Sequence, residues 1–189
     1  MRKLINATLA IAGLMLFLSS TAAAQKLPKS IYIQAQAMGQ STQMGQTANI
    51  TLIIEEFSPA EDQKALLTAF NEKQNEGLVN ALNKMHSKGR MSITGTLGYD
   101  VSYIRQWKEP DGSTKYRLVT NRPITFGEAW SDSRSMDYSI SGVEIIISPD
   151  KKKSSGTLMP LVKLKMNKEN HLELETYQNP WKLVDVQLR

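Results

Sequence analysis

The tightest constraint on the fold is a parity near the C-terminus. Val162, Leu164 and Met166 alternate with Lys163 and Lys165, while Leu172 and Leu174 alternate with His171, Glu173 and Glu175. Every apolar residue of the two runs holds an even position. Period-two alternation places such residues on one face of a strand pair. Residues that face each other across the pair must share that face. The connecting loop must then hold an odd number of residues, and pairing Met166 with Leu172 satisfies this. The same register sets Lys165 against Glu173 and Lys163 against Glu175, a charge ladder on the solvent side. Each such pair contributes a few tenths to about 1 kcal/mol. His171 falls at the loop edge. A slip of one residue would turn the charges into the core.

Other strands follow from β-branched and aromatic content bounded by turn residues. They are predicted at 32–36, 50–55, 91–96, 99–107, 115–120, 123–130, 138–148 and 158–166, with 181–188 as a closing strand. Gly95 and Gly98 mark a bulge or bend. Glu109-Pro110-Asp111-Gly112 is a turn with proline preset for its second position and glycine for its left-handed one. It joins 103–107 to 115–120 as a hairpin. Between the first two strands Met-Gly-Gln is written twice, at 38–40 and 44–46, which implies a wide turn or a bulged strand. Met38 and Met44 read there as gap-filling packing. A thioether pair for copper is the alternative, but no histidine is near and no metal is assigned. The run Lys151-Lys152-Lys153 beside Pro149-Asp150 reads as a solvated hairpin tip.

One early segment breaks the strand pattern. Ser58-Pro59-Ala60-Glu61 has the form of a capping box, with Ser58 on the orphan amides and Pro59 where its missing N–H costs nothing. Ala65, Leu66, Ala69 and Phe70 then form an apolar stripe at helical spacing, and Leu78, Val79, Leu82 and Met85 form a second, with Gly89 as its stop. The stretch 74–77 should break or kink the pair, and His86 should be a helix-terminal surface residue. The fold expected is β-rich α+β: an antiparallel curved sheet, sandwich or open barrel of about eight to ten strands with an early inserted helical hairpin. No alternating βαβ rhythm is present, so a parallel nucleotide-binding sheet is disfavoured.

The N-terminus supplies an address. Arg2 and Lys3 precede a largely apolar run over 4–18, and 19–24 ends in Ala22-Ala23-Ala24. A positive start, a short apolar stretch and small residues are what a signal peptidase reads. The run falls short of the roughly 20 apolar residues that a membrane span needs. Residues 1–24 are therefore read as a signal peptide and 25–189 as a single β-rich domain. The chain carries a net charge of +5, and losing Arg2 and Lys3 leaves +3, too mild a balance for a nucleic-acid face. With no cysteine there is no lipid attachment, disulfide, thiol catalysis or Cys-based metal site. No second apolar span and no outer-membrane barrel pattern is present. The product expected is soluble, cysteine-free, and periplasmic or secreted.

Signatures of common chemistry are missing. There is no Gly-x-Ser-x-Gly elbow, no His-Glu-x-x-His pair and no phosphate-cradling glycine loop, and the only histidines are His86 and His171. No cofactor and no metal ligand is assigned. The densest polar constellation is 127–138, with Glu128, Trp130, Asp132, Arg134, Asp137 and Tyr138. Carboxylates around an arginine with flanking aromatics suit a polar ligand. The alternative is an inter-strand loop in which Arg134 pins an aspartate and Trp130 plugs one end of the fold. Acid and base roles for Glu128 and Asp132 would require one of them to be buried. The calcium-loop spacing is not matched. Tyr103 and Trp107 join the candidate ligand-binding set, on the idea of an internal cavity lined by Tyr99, Tyr103, Trp107 and Trp130. Aromatics in 177–181 could stack on sugars or anchor a turn.

Two stretches carry a family resemblance. Pro123-Ile124-Thr125-Phe126-Gly127-Glu128-Ala129-Trp130, with Arg134-Ser135 and Asp137-Tyr138, and Tyr177-Gln178-Asn179-Pro180-Trp181-Lys182-Leu183 resemble an uncharacterised family of exported bacterial proteins. The resemblance covers most of 25–189 and implies export from a bacterial cell, with no activity and no functional residues to carry over. The function expected is an exported, non-catalytic domain that binds a small ligand or an envelope partner. The alternatives are a hydrolase-like enzyme using the acids of 127–138, and a structural envelope protein that self-associates through an edge strand.

Overall fold

The computed structural model describes residues 30–124, 139–166, 172–176 and 179–189. The segment expected to be a signal peptide, most of the strand expected at 123–130, the polar loop expected after it, His171 and Tyr177 lie outside these residues. In chain order the elements are β1 (Ile31–Met38), β2 (Thr47–Ile54), α1 (Ala60–Lys84), β3 (Gly89–Ile93), β4 (Tyr99–Lys108), β5 (Thr114–Thr120), β6 (Ile140–Ile147), β7 (Ser155–Met166), β8 (Leu172–Thr176) and β9 (Trp181–Leu188). All pairings are antiparallel, in the order β6-β5-β4-β3-β2-β1-β9-β7-β8. An additional β6–β7 pairing closes eight of these strands into a barrel and leaves β8 as an extra strand. The expected sandwich or open barrel is thus corrected to a closed one. The ends of the sheet meet through residues such as Gly142 and Met159, a pairing that alternation within each strand does not encode.

The C-terminal register is the one the parity demands: Met166 faces Leu172, Lys165 faces Glu173 and Lys163 faces Glu175. Lys163 and Lys165 both reach Glu175, at 3.7 and 3.8 Å, while Val162 and Leu164 are buried. β8 and β9 pair with the same long strand, β7. Val162 faces Thr176 and Leu158 faces Trp181, a shift of one residue between two stretches of a single extended hairpin. The Glu109–Gly112 turn also forms as expected, with Gly112 N–H donating to Glu109 O (3.0 Å) and Gly112 at φ 81°.

One cluster of buried side chains draws on all eight barrel strands, from Ile33 and Leu52 to Leu158 and Trp181, and so fills the interior. Trp181 is 1% exposed within it. A second cluster lies on the outer wall, where Leu66, Phe70, Leu78 and Leu82 of α1 cover Val119, Ile140, Met159 and Val162. The apolar stripes of the sequence thus pack against the outside of the barrel. Ala65 of the first stripe is exposed.

α1 is two helical segments joined at a corner. Lys73 (φ −138°, ψ 22°) and Gln74 (φ 50°, ψ −138°) leave helical geometry. Beyond the corner, Gly77 lies so close to the Ala69 carbonyl that a Cβ there would sit 2.2 Å from its oxygen. Eight residues of straight helix span about 12 Å, so the chain doubles back as the expected break at 74–77 implies. The corner also aims Asn75 at the wall, where its Oδ1 accepts from Leu164 N–H (2.9 Å) beyond the reach of β6. Among the described residues nothing else covers that stretch of edge, and the bond blunts it.

Three local expectations are corrected and a fourth stands. Ser58 does not cap α1: its Oγ accepts from Ile104 N–H (3.0 Å), and Pro59 stands at the N-cap without a side-chain bond. A cross-chain strand contact outcompetes the local cap. Gly89 opens β3 instead of stopping the helix, which ends at Lys84, because its Cα must approach the Ile53 carbonyl on β2. Met38 and Met44 are 42% and 80% exposed, so they do not fill gaps; a short 3-10 turn at Ser41–Gln43 holds the loop instead. His86 is a surface residue as expected, 78% exposed and 3.7 Å from Glu56 Oε1.

Candidate functional site

Of the sequence-predicted ligand-binding residues, Glu128, Trp130, Asp132, Arg134, Asp137 and Tyr138 lie outside the described residues. Tyr103 and Trp107 are described, and they do not share a cavity with Tyr99. A register shift between Val101 and Tyr103 inserts one extra residue into β4 against β5. Tyr99 and Val101 therefore join the interior cluster, whereas Tyr103 packs in the outer one. A bulge of this kind re-aims every side chain beyond it. Tyr99 and Tyr103 therefore do not line one internal cavity, and Trp130, the fourth residue expected there, lies outside the described residues.

Beyond the bulge, Tyr103, Arg105 and Trp107 share the outer face of β4. Arg105 stands directly opposite Arg117 of β5, and Trp107 opposite Lys115. Lys115 Nζ and Arg117 Cζ lie 5.5 and 5.4 Å from the centre of the Trp107 ring, a cation–π arrangement. The indole Nε1 donates to Glu109 Oε1 (2.8 Å). Glu144 of β6 is shared by both cations, with Arg117 Nη2 at 2.6 Å and Lys115 Nζ at 3.1 Å. Burial pushes the Glu144 carboxyl up, but Arg117 and Lys115 outweigh it and hold the carboxyl below its usual range. Burial pushes the Tyr103 phenol up, opposed by the positive charge of nearby Arg105.

Next to this face lies a groove of about 470 Å³, within the usual size of small-molecule sites. One wall is Tyr103, Arg105 and Gln106 of β4; the other is Phe57, Ser58 and Pro59, continuing into Ala60 and Gln63 of α1. Phe57 is 40% exposed and stacks on Tyr116 with centroids 6.4 Å apart. Among the described residues Arg105 is the one charged residue of the lining, and no carboxylate lines it. Neutral donors and acceptors come from Tyr103, Gln63 and Gln106. Such a lining can hold a polar or anionic group beside an apolar surface.

A second polar cluster sits near the entry to α1, where Lys88 bonds Glu56 (2.6 Å) and approaches Asp62 (3.5 Å). The Glu56 hydrogen bond raises the Lys88 ammonium above its usual range despite burial, and the same bond lowers Glu56. Its charges answer one another, so it reads as a staple between the strand exit and the helix. Among the described residues no group of three His, Asp or Glu side chains is placed to hold a metal.

Sequence reading missed Phe57, Gln63, Arg105 and Gln106 as groove residues, and Lys115, Arg117 and Glu144 beside them. The alternation Tyr103-x-Arg105-x-Trp107 facing Lys115-x-Arg117 was a usable signal, since the hairpin register was already implied by its turn. No protein-family model matches the chain, and no curated protein or solved structure matches it.

Proposed function

We propose that this chain is an exported, non-catalytic binding domain, periplasmic or secreted, whose ligand or envelope partner engages the outer-wall groove between β4 and the start of α1. The observation that carries the reading is a contrast between inside and outside. The barrel interior is filled by side chains from every barrel strand, Trp181 among them. Among the described residues the groove offers space for a ligand, and its lining mixes an exposed ring, neutral hydrogen-bonding groups and an arginine. Binding sites combine an apolar surface with a few placed polar groups in this way. Export rests on the charged, apolar and small-residue order of 2–24.

The test is native mass spectrometry of the protein recovered from the periplasm or medium, wild type beside Gln63→Trp, which fills the groove from the helix side. A bound species on wild type, missing from the variant, with Gln25 as the new N-terminus, is the expected result. A bare wild-type protein, or a bound species indifferent to Gln63→Trp, overturns the groove as the site.

A further inference from the structure

The groove runs along the seam between β3 and β4, where the closed barrel is paired over only a short stretch. β3 pairs with β4 only from Tyr99 to Val101. Beyond that the strand exit takes over: Ser58 N–H donates to Ile104 O (2.8 Å), and Ile104 N–H donates to Ser58 Oγ (3.0 Å). Ile104 thus turns its backbone groups away from β5. Glu109 N–H, by contrast, donates toward β5 at Ser113 O (3.0 Å). Along a strand these directions alternate, so even residues of β4 face the seam and odd ones face β5. Gln106 and Lys108 therefore present N–H and C=O groups to the seam. Among the described residues nothing bonds those backbone groups. The chain that covers Ile104 has by then turned off into α1.

We infer that this edge receives an extended acidic segment of a partner protein as an added strand, which rests on the groove being the binding site. Backbone groups of a bare edge supply the affinity in strand addition, and alternate side chains supply the choice of partner. The choice here is for negative charge. Arg105, Lys108, Lys115 and Arg117 lie on and beside β4, against Glu109, Glu144 and, in the first turn of α1, Glu61 and Asp62, the latter engaged by Lys88 at 3.5 Å. Arg105 stands opposite Arg117, whose charge Glu144 already answers, and among the described residues no carboxylate pairs with Arg105, so it is the cation left for an incoming one. Residues of the added strand that share Arg105's face are acidic. Those on the opposite parity meet Gln106 and the exposed ring of Phe57, and are apolar. A second copy of this chain does not suit the edge, since it would bring the same cations together.

The experiment titrates the mature protein with an acetylated, amidated octapeptide of alternating Glu and Val, read by calorimetry. Two further versions carry N-methyl groups on either all valines or all glutamates, and a fourth replaces Glu by Lys. The expected result is binding of the Glu–Val peptide, loss with Lys, and weakening of about tenfold or more when one parity is methylated but not the other. An antiparallel added strand makes the valine amides the sensitive set. Arg105→Glu weakens binding by a similar factor. Gln106→Pro does too, although β5 makes no use of that N–H. Equal binding of both methylated peptides overturns the added strand. So does an oligogalacturonate that binds as tightly with the same dependence on Arg105, which would make the face a site for acidic glycans. If the peptide fails while Gln63→Trp still strips a native ligand, the acidic-strand inference falls and the groove stands. If the peptide binds Gln63→Trp as well as wild type, both fall.

Discussion

Trp181 shows how much one residue contributes here. It opens β9 at the junction with the β8 stretch, pairs with Leu158 and is 1% exposed among side chains from every barrel strand. Trp181→Ala should cost about 3–5 kcal/mol, because the cavity cannot be refilled by a closed wall. The shift in urea midpoint measures it. Glu144 gives a pH signature. Its folded carboxyl is held below the usual range, so it stabilises the protein above the unfolded value of about 4.3, and that contribution is lost as pH falls through the lower folded value. The difference in Tm between wild type and Glu144→Gln should be largest near neutral pH and vanish in acid. A difference that grows in acid would contradict the pairing with Arg117 and Lys115. Sequence reading at this scale was uneven. His86 was placed correctly because a polar residue at a helix end has few alternatives. Ser58 was not, because its hydroxyl had a distant competitor in Ile104, 46 residues away.

At the scale of elements, α1 is decided by its corner. Gly77→Ala in an ordinary helix would stabilise by up to about 1 kcal/mol. Here the added Cβ would meet the Ala69 carbonyl oxygen at 2.2 Å, so the variant should lose about 1–3 kcal/mol in a thermal melt. Asn75→Ala should leave Leu164 N–H without its acceptor and cost about 1–3 kcal/mol. The β7–β8 hairpin was fully legible, since a period of two with charges on odd positions admits one low-energy register. The β4 bulge was not. Nothing in Val101-Ser102-Tyr103 announces an extra residue, and that single insertion moved the Tyr103, Arg105 and Trp107 row from the inside to the outside. Lengths and turns are local properties, whereas a bulge is a property of two strands together.

For the whole molecule, closure leaves few free edges. Hydrogen exchange should therefore rank the wall. Amides of Ile50, Leu52 and Leu118, inside the closed ladder, should be among the slowest, and those of Gln106 and Lys108 among the fastest within strands. Uniform protection along β4 would contradict a seam paired over only a short stretch. Among the described residues no helix is long and apolar enough to cross a membrane. Outside the untested stretch at 123–130, the amino-acid order alone was enough to locate the strand and helix segments, the turn at Glu109–Gly112, the break at 74–77 and the last hairpin, because each depends on neighbours within a few residues. It also carried the expectation of export, which is written in a short linear pattern. Closure of the barrel, the outward swing of Tyr103 and the bare seam beside it came only with the packed chain. They depend on pairings such as β1 with β9 and β6 with β7, between residues far apart in the chain, and on which of two competing partners a backbone group finally reaches.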